Sequence, residues 1–94
     1  MFGLDEKLIE SIRNISKKYP KNKFVVFGSR ARGDYKTTSD IDIAILGRCD
    51  DKIEFNIKNE FDLIDTFYMF DIVFYEDLKD EKFKKSIDIE GVEI

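Results

Sequence analysis

The sequence predicts a small α/β domain with a mixed sheet and helices mainly on one face. Three observations carry that expectation. Apolar residues recur at helical spacing in two separate stretches, short runs rich in Val, Ile and Phe fall between and after them, and Gly-containing or polar turns separate the runs. The order along the chain reads helix, strand, strand, helix, strand, helix. Ninety-four residues suffice for one ordinary core, so residues 1–94 are expected to form a single domain.

The first helix follows from Leu4, Leu8, Ile12, Ile15 and Tyr19, which share one face at steps of three and four, while Glu6, Glu10, Arg13 and Lys17 fill the other. Pro20 ends it. Lys23 to Gly28 is a buried strand by length and composition. The hydrophobic pattern then stops at Gly28-Ser29-Arg30-Ala31-Arg32-Gly33-Asp34, a tight turn with at most one helical turn after Ser29. Tyr35 to Ser39 is a polar loop. Asp40 to Leu46 alternates as a strand, sending Asp40, Asp42 and Ala44 to one side and Ile41, Ile43 and Ile45 to the other.

Asp50 to about Asp65 reads as a helix with Ile53, Ile57, Phe61 and Ile64 inward and Asp50 or Asp51 as its cap. Tyr68 to Tyr75 is a third strand around one acid, Asp71. Asp80 to Ser86 reads as a short helix, and Ile87 to Ile94 as a final strand or irregular tail. Phe55, Phe61, Phe67, Phe70 and Phe74 read as core, with one or two of them candidates for a partner surface. Tyr35 reads as a surface tyrosine, with stacking on a base as the alternative.

Composition excludes several chemistries. The chain has no His, hence no His general base and no His-liganded metal. The single Cys49 excludes an internal disulfide and a Cys-cluster zinc site, and suits a reducing compartment. The longest strictly apolar runs, Phe24 to Phe27 and Ile43 to Leu46, are four residues, against the roughly 20 a membrane span needs. With Asp5 and Glu6 near the start and no apolar segment after them, no signal-peptide pattern is present, and a cytoplasmic location is the expectation. A net charge of −4 disfavours broad nucleic-acid binding, which rests on neutralising phosphates.

Asp40, Asp42 and Asp71 stand out because each interrupts an apolar strand. Asp-x-Asp alone describes one solvent-facing side of a strand, a Gly-Ser pair alone is a turn, and two arginines alone are surface charge. The combination is more specific. Carboxylates about 5 Å apart on neighbouring strands repel by roughly 3 kcal/mol per pair at an effective dielectric near 20. A cation relieves that repulsion, and oxygen-only ligands suit Mg²⁺ or Mn²⁺. Asp71 joins the other two only if its strand pairs beside theirs in the right register.

Gly28-Ser29-Arg30-Ala31-Arg32-Gly33 followed by Ser39-Asp40-Ile41-Asp42-Ile43 resembles the nucleotidyltransferase signature of the DNA polymerase beta superfamily, and most closely its minimal nucleotidyltransferase (MNT) group. The likeness runs through nearly the whole chain, to an ending like Glu90-Gly91-Val92. It implies a nucleotidyltransferase fold, ATP as substrate, and two Mg²⁺ ions (or Mn²⁺) held by Asp40, Asp42 and Asp71 as catalytic and metal-ligand residues. It further implies that Gly28 and Ser29 hold phosphate oxygens, with Arg30 or Arg32 neutralising phosphate. Arg32 fits the family pattern more closely, its alternative role being to pin the loop against an acid. Because no acceptor-binding domain is evident, the resemblance points to a HEPN-type toxin as partner, with this chain as an antitoxin adding AMP to a toxin tyrosine. The alternatives are an antitoxin that neutralises by binding alone, and a small-molecule nucleotidyltransferase of the aminoglycoside-modifying kind. Neither a membrane nor a templating nucleic acid is an expected partner.

Overall fold

The structure, a computed structural model, describes residues 1–94. Its elements are α1 (Glu6–Lys17), β1 (Lys23–Phe27), the single-turn α2 (Ser29–Arg32), β2 (Ile41–Leu46), α3 (Asp51–Asp62), β3 (Phe70–Phe74), a 3₁₀ turn (Tyr75–Asp77), α4 (Glu81–Glu90) and β4 (Val92–Glu93). The three long helices all start on an aspartate. Asp5 accepts from the Leu8 N–H at 2.8 Å, Asp50 from Ile53 at 2.8 Å, and Asp80 from Lys82 and Phe83 at 3.0 and 3.3 Å. Each carboxylate satisfies first-turn donors that the helix itself leaves unpaired, and its charge suits the positive helix end.

The sheet order is β3-β2-β1-β4. β1 and β2 are antiparallel, with Phe27 opposite Asp42, and β4 pairs antiparallel with β1 through Val25–Glu93 and Val26–Val92. β2 and β3 are parallel, so the chain must cross over between them, and α3 is that crossover. This is the expected small mixed α/β sheet.

One face of the sheet carries the main core. Ile41, Ile43 and Ile45 of β2, Phe24 of β1 and Phe74 of β3 pack against Leu8, Ile9, Ile12 and Ile15 of α1 and Ile57 and Phe61 of α3. Aromatic rings run through it from Tyr19 to Phe24, Phe61 and Phe70 at centroid spacings of 6.3, 6.1 and 5.1 Å. Tyr19 donates to Glu60 Oε2 at 2.8 Å, tying α1 to α3. The opposite face holds a smaller cluster in which Phe27 and Ala44 meet Ile87 of α4, with Phe83 edge-on to Phe27 at 5.7 Å.

Three boundaries differ from the sequence reading. α4 does not stop at Ser86 but continues to Glu90, leaving two residues for β4. The apolar-polar alternation of residues 86–89 resembles a strand, yet Phe83 and Ile87, four apart, both reach the sheet only on a helix. α3 ends at Asp62, three residues early, and Tyr68 and Met69 precede β3 rather than belong to it. Of the five phenylalanines read as core, Phe61 and Phe74 are buried, whereas Phe55 and Phe67 are exposed. No helix is long and apolar enough to cross a membrane.

A carboxyl pair links α3 to the 3₁₀ turn. A hydrogen bond to Asp77, then burial, then the charges of Asp77 and Asp51 push the Glu54 pKa up to about 7 from its ordinary 4.5. The folded state therefore keeps a proton that the unfolded chain releases at lower pH. The stabilisation is fully present below about 4.5 and is lost as pH rises through about 7. The thermal midpoint should fall as pH is raised from 5.5 to 8, and Glu54→Gln should flatten that dependence. An unchanged slope in Glu54→Gln refutes the assignment.

Candidate active site

The register of the parallel pair places Asp42 directly beside Asp71, the relation that the alternation of each strand alone leaves open. Asp40 sits one residue ahead of β2, on the side of the sheet that Asp42 occupies. Asp42 is half-buried, whereas Asp40 and Asp71 are exposed. Burial, then the charges of Asp71 and Asp40, push the Asp42 carboxyl above its ordinary range, while the Arg32 guanidinium pulls the other way. The three acids and Arg32 thus share one electrostatic neighbourhood.

The turn after β1 presses against this neighbourhood. Gly28 has φ +72° and ψ −154°, a backbone shape essentially restricted to glycine. A Cβ there would overlap Asp42 Oδ2. Glycine is therefore required twice, for its backbone angle and for the approach of the chain to the carboxylate. Ser29 opens α2, whose single turn is closed by the Ala31 and Arg32 N–H groups donating to the Gly28 carbonyl. The earlier N–H groups of such a turn have no partner within it and face whatever the turn meets.

The two arginines diverge. Arg30 does not face a phosphate, contrary to the sequence expectation: it is 2 % exposed, the one charged residue in the buried set. Its guanidinium donates to the carbonyls of Phe2 (3.1 Å), Lys36 (3.3 Å), Thr37 (3.4 Å) and Ser39 (3.0 and 3.3 Å). Its charged carbon lies 4.9 Å from the Tyr35 ring centre and 4.7 Å from that of Tyr68. The side chain is wholly committed inside the protein. Tyr35 is correspondingly neither a free surface group nor placed to stack on a base; its ring lies between Arg30 and Gly3.

Arg32 is the exposed one and stays beside the acids. It bridges Asp34 at 3.2 Å and Glu90, at the end of α4, at 3.1 Å. The loop-pinning role weighed for Arg32 thus exists at both arginines, through carboxylates at Arg32 and through backbone carbonyls at Arg30. Sequence reasoning missed Tyr68 and Glu90 as partners of the motif. No spacing links them to residues 28–42, and only the likeness of the Glu90-Gly91-Val92 ending hinted at the second.

No three acids are gathered into a ready-made metal cage. The donor set nonetheless fits a hard divalent cation: it is made of carboxylate oxygens, two of its members are adjacent in register, and the charge of one is disfavoured by burial and by the other two. Asp40, Asp42 and Asp71 are the residues that could hold such an ion.

Paired strand carboxylates thus stand beside a Gly-Ser turn. The chain belongs to the polymerase beta nucleotidyltransferase family, whose model matches residues 10–94. No curated protein matches it. Among solved structures it is similar to a chain in the crystal structure of a toxin–antitoxin with AMP-PNP, at 24 % identity and a TM-score of 0.61 over 93 % of this chain and 68 % of that one. It is also similar to a Sulfolobus solfataricus protein described as a nucleotidyltransferase, at 25 % identity and a TM-score of 0.53 over 89 % of this chain and 72 % of that one.

Arg30→Lys keeps the charge but offers one ammonium where a planar fork reaches four carbonyls. Hydrogen bonds to a charged group are worth about 1.5–3 kcal/mol each, so urea unfolding should show a loss of at least ~2 kcal/mol. A loss below about 0.5 kcal/mol, the scale of an ordinary surface change, would refute the buried role. Gly28→Ala should fold with a penalty of roughly 1–3 kcal/mol, from holding a side chain in a backbone region essentially restricted to glycine.

Proposed function

We propose that this chain is a divalent-metal-dependent nucleotidyltransferase that serves as the antitoxin of a toxin–antitoxin pair. It would transfer AMP from ATP to a tyrosine hydroxyl of a HEPN-type toxin. The observation that carries the reading is the in-register Asp42–Asp71 pair, with Asp40 beside it and Gly28 packed on Asp42. The likeness to a toxin–antitoxin chain crystallised with AMP-PNP supports the antitoxin assignment and the adenine nucleotide.

In this reading Asp40 and Asp42 hold the cations and Asp71 completes the site on the acceptor side. Bound divalent ions would lower the pKa of the acceptor hydroxyl and neutralise the triphosphate and its leaving pyrophosphate. The acceptor oxygen attacks the α-phosphorus, the bond from that phosphorus to the bridging oxygen breaks, and pyrophosphate leaves with the electron pair. With no His in the chain, Asp71, exposed at the edge strand, is the group that takes the acceptor proton. Ser29 and the first N–H groups of α2 hold terminal phosphate oxygens. Arg32 exchanges its surface carboxylates for phosphate, which a guanidinium can grip bidentately.

Incubation with the toxin, ATP and Mg²⁺ should add AMP masses to the toxin in intact-mass spectra. Asp71→Asn should slow that transfer by on the order of 10²–10⁴-fold, the range of a lost general base, while Mg·ATP affinity changes only a few-fold. If no adduct forms, and Asp40→Asn and Asp42→Asn chains still neutralise the toxin, neutralisation is by binding alone.

A further inference from the structure

The two carboxylates on Arg32 are not alike. Asp34 Oδ2 meets Nε at 3.2 Å, and Glu90 Oε2 meets Nη1 at 3.1 Å. The Asp34 side chain is 64 % exposed and that of Glu90 24 %. Asp34 stands two residues along in the loop that follows α2, whereas Glu90 reaches in from 58 positions away.

Glu90 is fixed from both sides. Ile87, one turn before it, is buried with Phe27 and Ala44, and the Gly91 N–H just after it donates to the Ile87 carbonyl at 2.8 Å. Gly91 lies so close to Val25 that a Cβ would overlap that side chain, and Val92 then pairs with Val26. The backbone that presents Glu90 is therefore fastened to the sheet. The last turn of α4 has no basic residue of its own. Arg32 supplies a cation to that helix end, where the dipole is negative.

A guanidinium can grip phosphate at two points along either of two edges, Nε with Nη2 or Nη1 with Nη2. Asp34 takes one nitrogen of the first edge and Glu90 one of the second. Displacing Asp34 gives up one contact to a solvated carboxylate, which contributes little. Displacing Glu90 gives up a less exposed contact at a fixed helix end.

We propose that the two carboxylates have opposite roles: Asp34 is the one that phosphate replaces, on the Nε edge, and Glu90 is a positioning residue that keeps Nη1 and holds the guanidinium at the phosphate turn. This rests on the reading of Arg32 as a phosphate ligand, and narrows the exchange to one of its two carboxylates. Glu90 also keeps the guanidinium from closing onto Asp42, whose carboxylate feels its charge.

Titration calorimetry with Mg·ATP separates the two roles by sign. Asp34→Asn should tighten Mg·ATP about two- to fivefold, the scale of one exposed ion pair. Glu90→Gln should weaken it at least about threefold, although it too removes a negative charge near an anionic ligand. In an Arg32→Ala chain the opposition of sign should vanish. Tightening by both substitutions, or weakening by both, overturns the proposal, as does an opposition that survives Arg32→Ala. Asp34→Asn changes an exposed loop position, so it carries the test even where Glu90→Gln loosens α4: no tightening there overturns the proposal. A wild-type chain that binds Mg·ATP with unaltered affinity in both variants overturns this inference alone. A wild-type chain that binds no Mg·ATP overturns the transferase reading, and this inference with it.

Discussion

The Arg30 guanidinium is the interaction on which the site's shape depends. It carries a full charge into the interior with no carboxylate to meet it, and its hydrogens end on the backbone carbonyls of Phe2, Lys36, Thr37 and Ser39. A charge buried without partners would be untenable; here neutral dipoles and two aromatic faces take the place of a counter-ion. Those partners come from three places in the chain: the turn before α1, the loop before β2, and Tyr68 ahead of β3. One side chain thus fixes the approach of Asp40 and the strand that leads to Asp71. Phe2 even accepts a left-handed backbone, φ +58°, in the turn whose carbonyl Arg30 engages.

Around that anchor the sheet solves a different problem. Asp42 and Asp71 are neighbours on parallel strands, which a stable fold avoids unless the repulsion serves a purpose. The sheet can carry them because stability comes from the other face, where Ile41, Ile43 and Ile45 are fully buried against α1 and α3. β2 is divided lengthwise: one row of side chains holds the domain together and the other is free to hold charge. α4 covers part of the charged face beside the acids, around Ala44 and Phe27, the latter directly opposite Asp42.

Much of this was legible in the sequence because its signals are local. The stripe from Leu4 to Tyr19, the alternation from Asp40 to Ile45 and the Asp50 cap each depend on residues within one or two turns of one another. Arg30 was misread for the opposite reason. Its burial is decided by Phe2 and Tyr68, each more than 25 positions away, and an arginine beside a Gly-Ser turn carries the same local signature whether it faces phosphate or carbonyls. The end of α4 failed likewise, because Phe83 and Ile87 answer to Phe27 and Ala44 rather than to their neighbours in sequence. The register that joins Asp71 to Asp42 lies between these cases: each strand was visible, but their offset is set by the α3 crossover and the core packing beneath it.

The segment 28–40 is, in topological terms, merely the loop of the β1–β2 hairpin. Loops of that length commonly keep much of their conformational freedom and lose it when a ligand arrives. Here the freedom is surrendered during folding, when Arg30 closes on the carbonyls along the loop and the Ser39 hydroxyl accepts from the Lys36 N–H. An arriving triphosphate would meet a surface already ordered, and the entropy of arranging it is charged to the stability of the domain rather than to the affinity for the nucleotide.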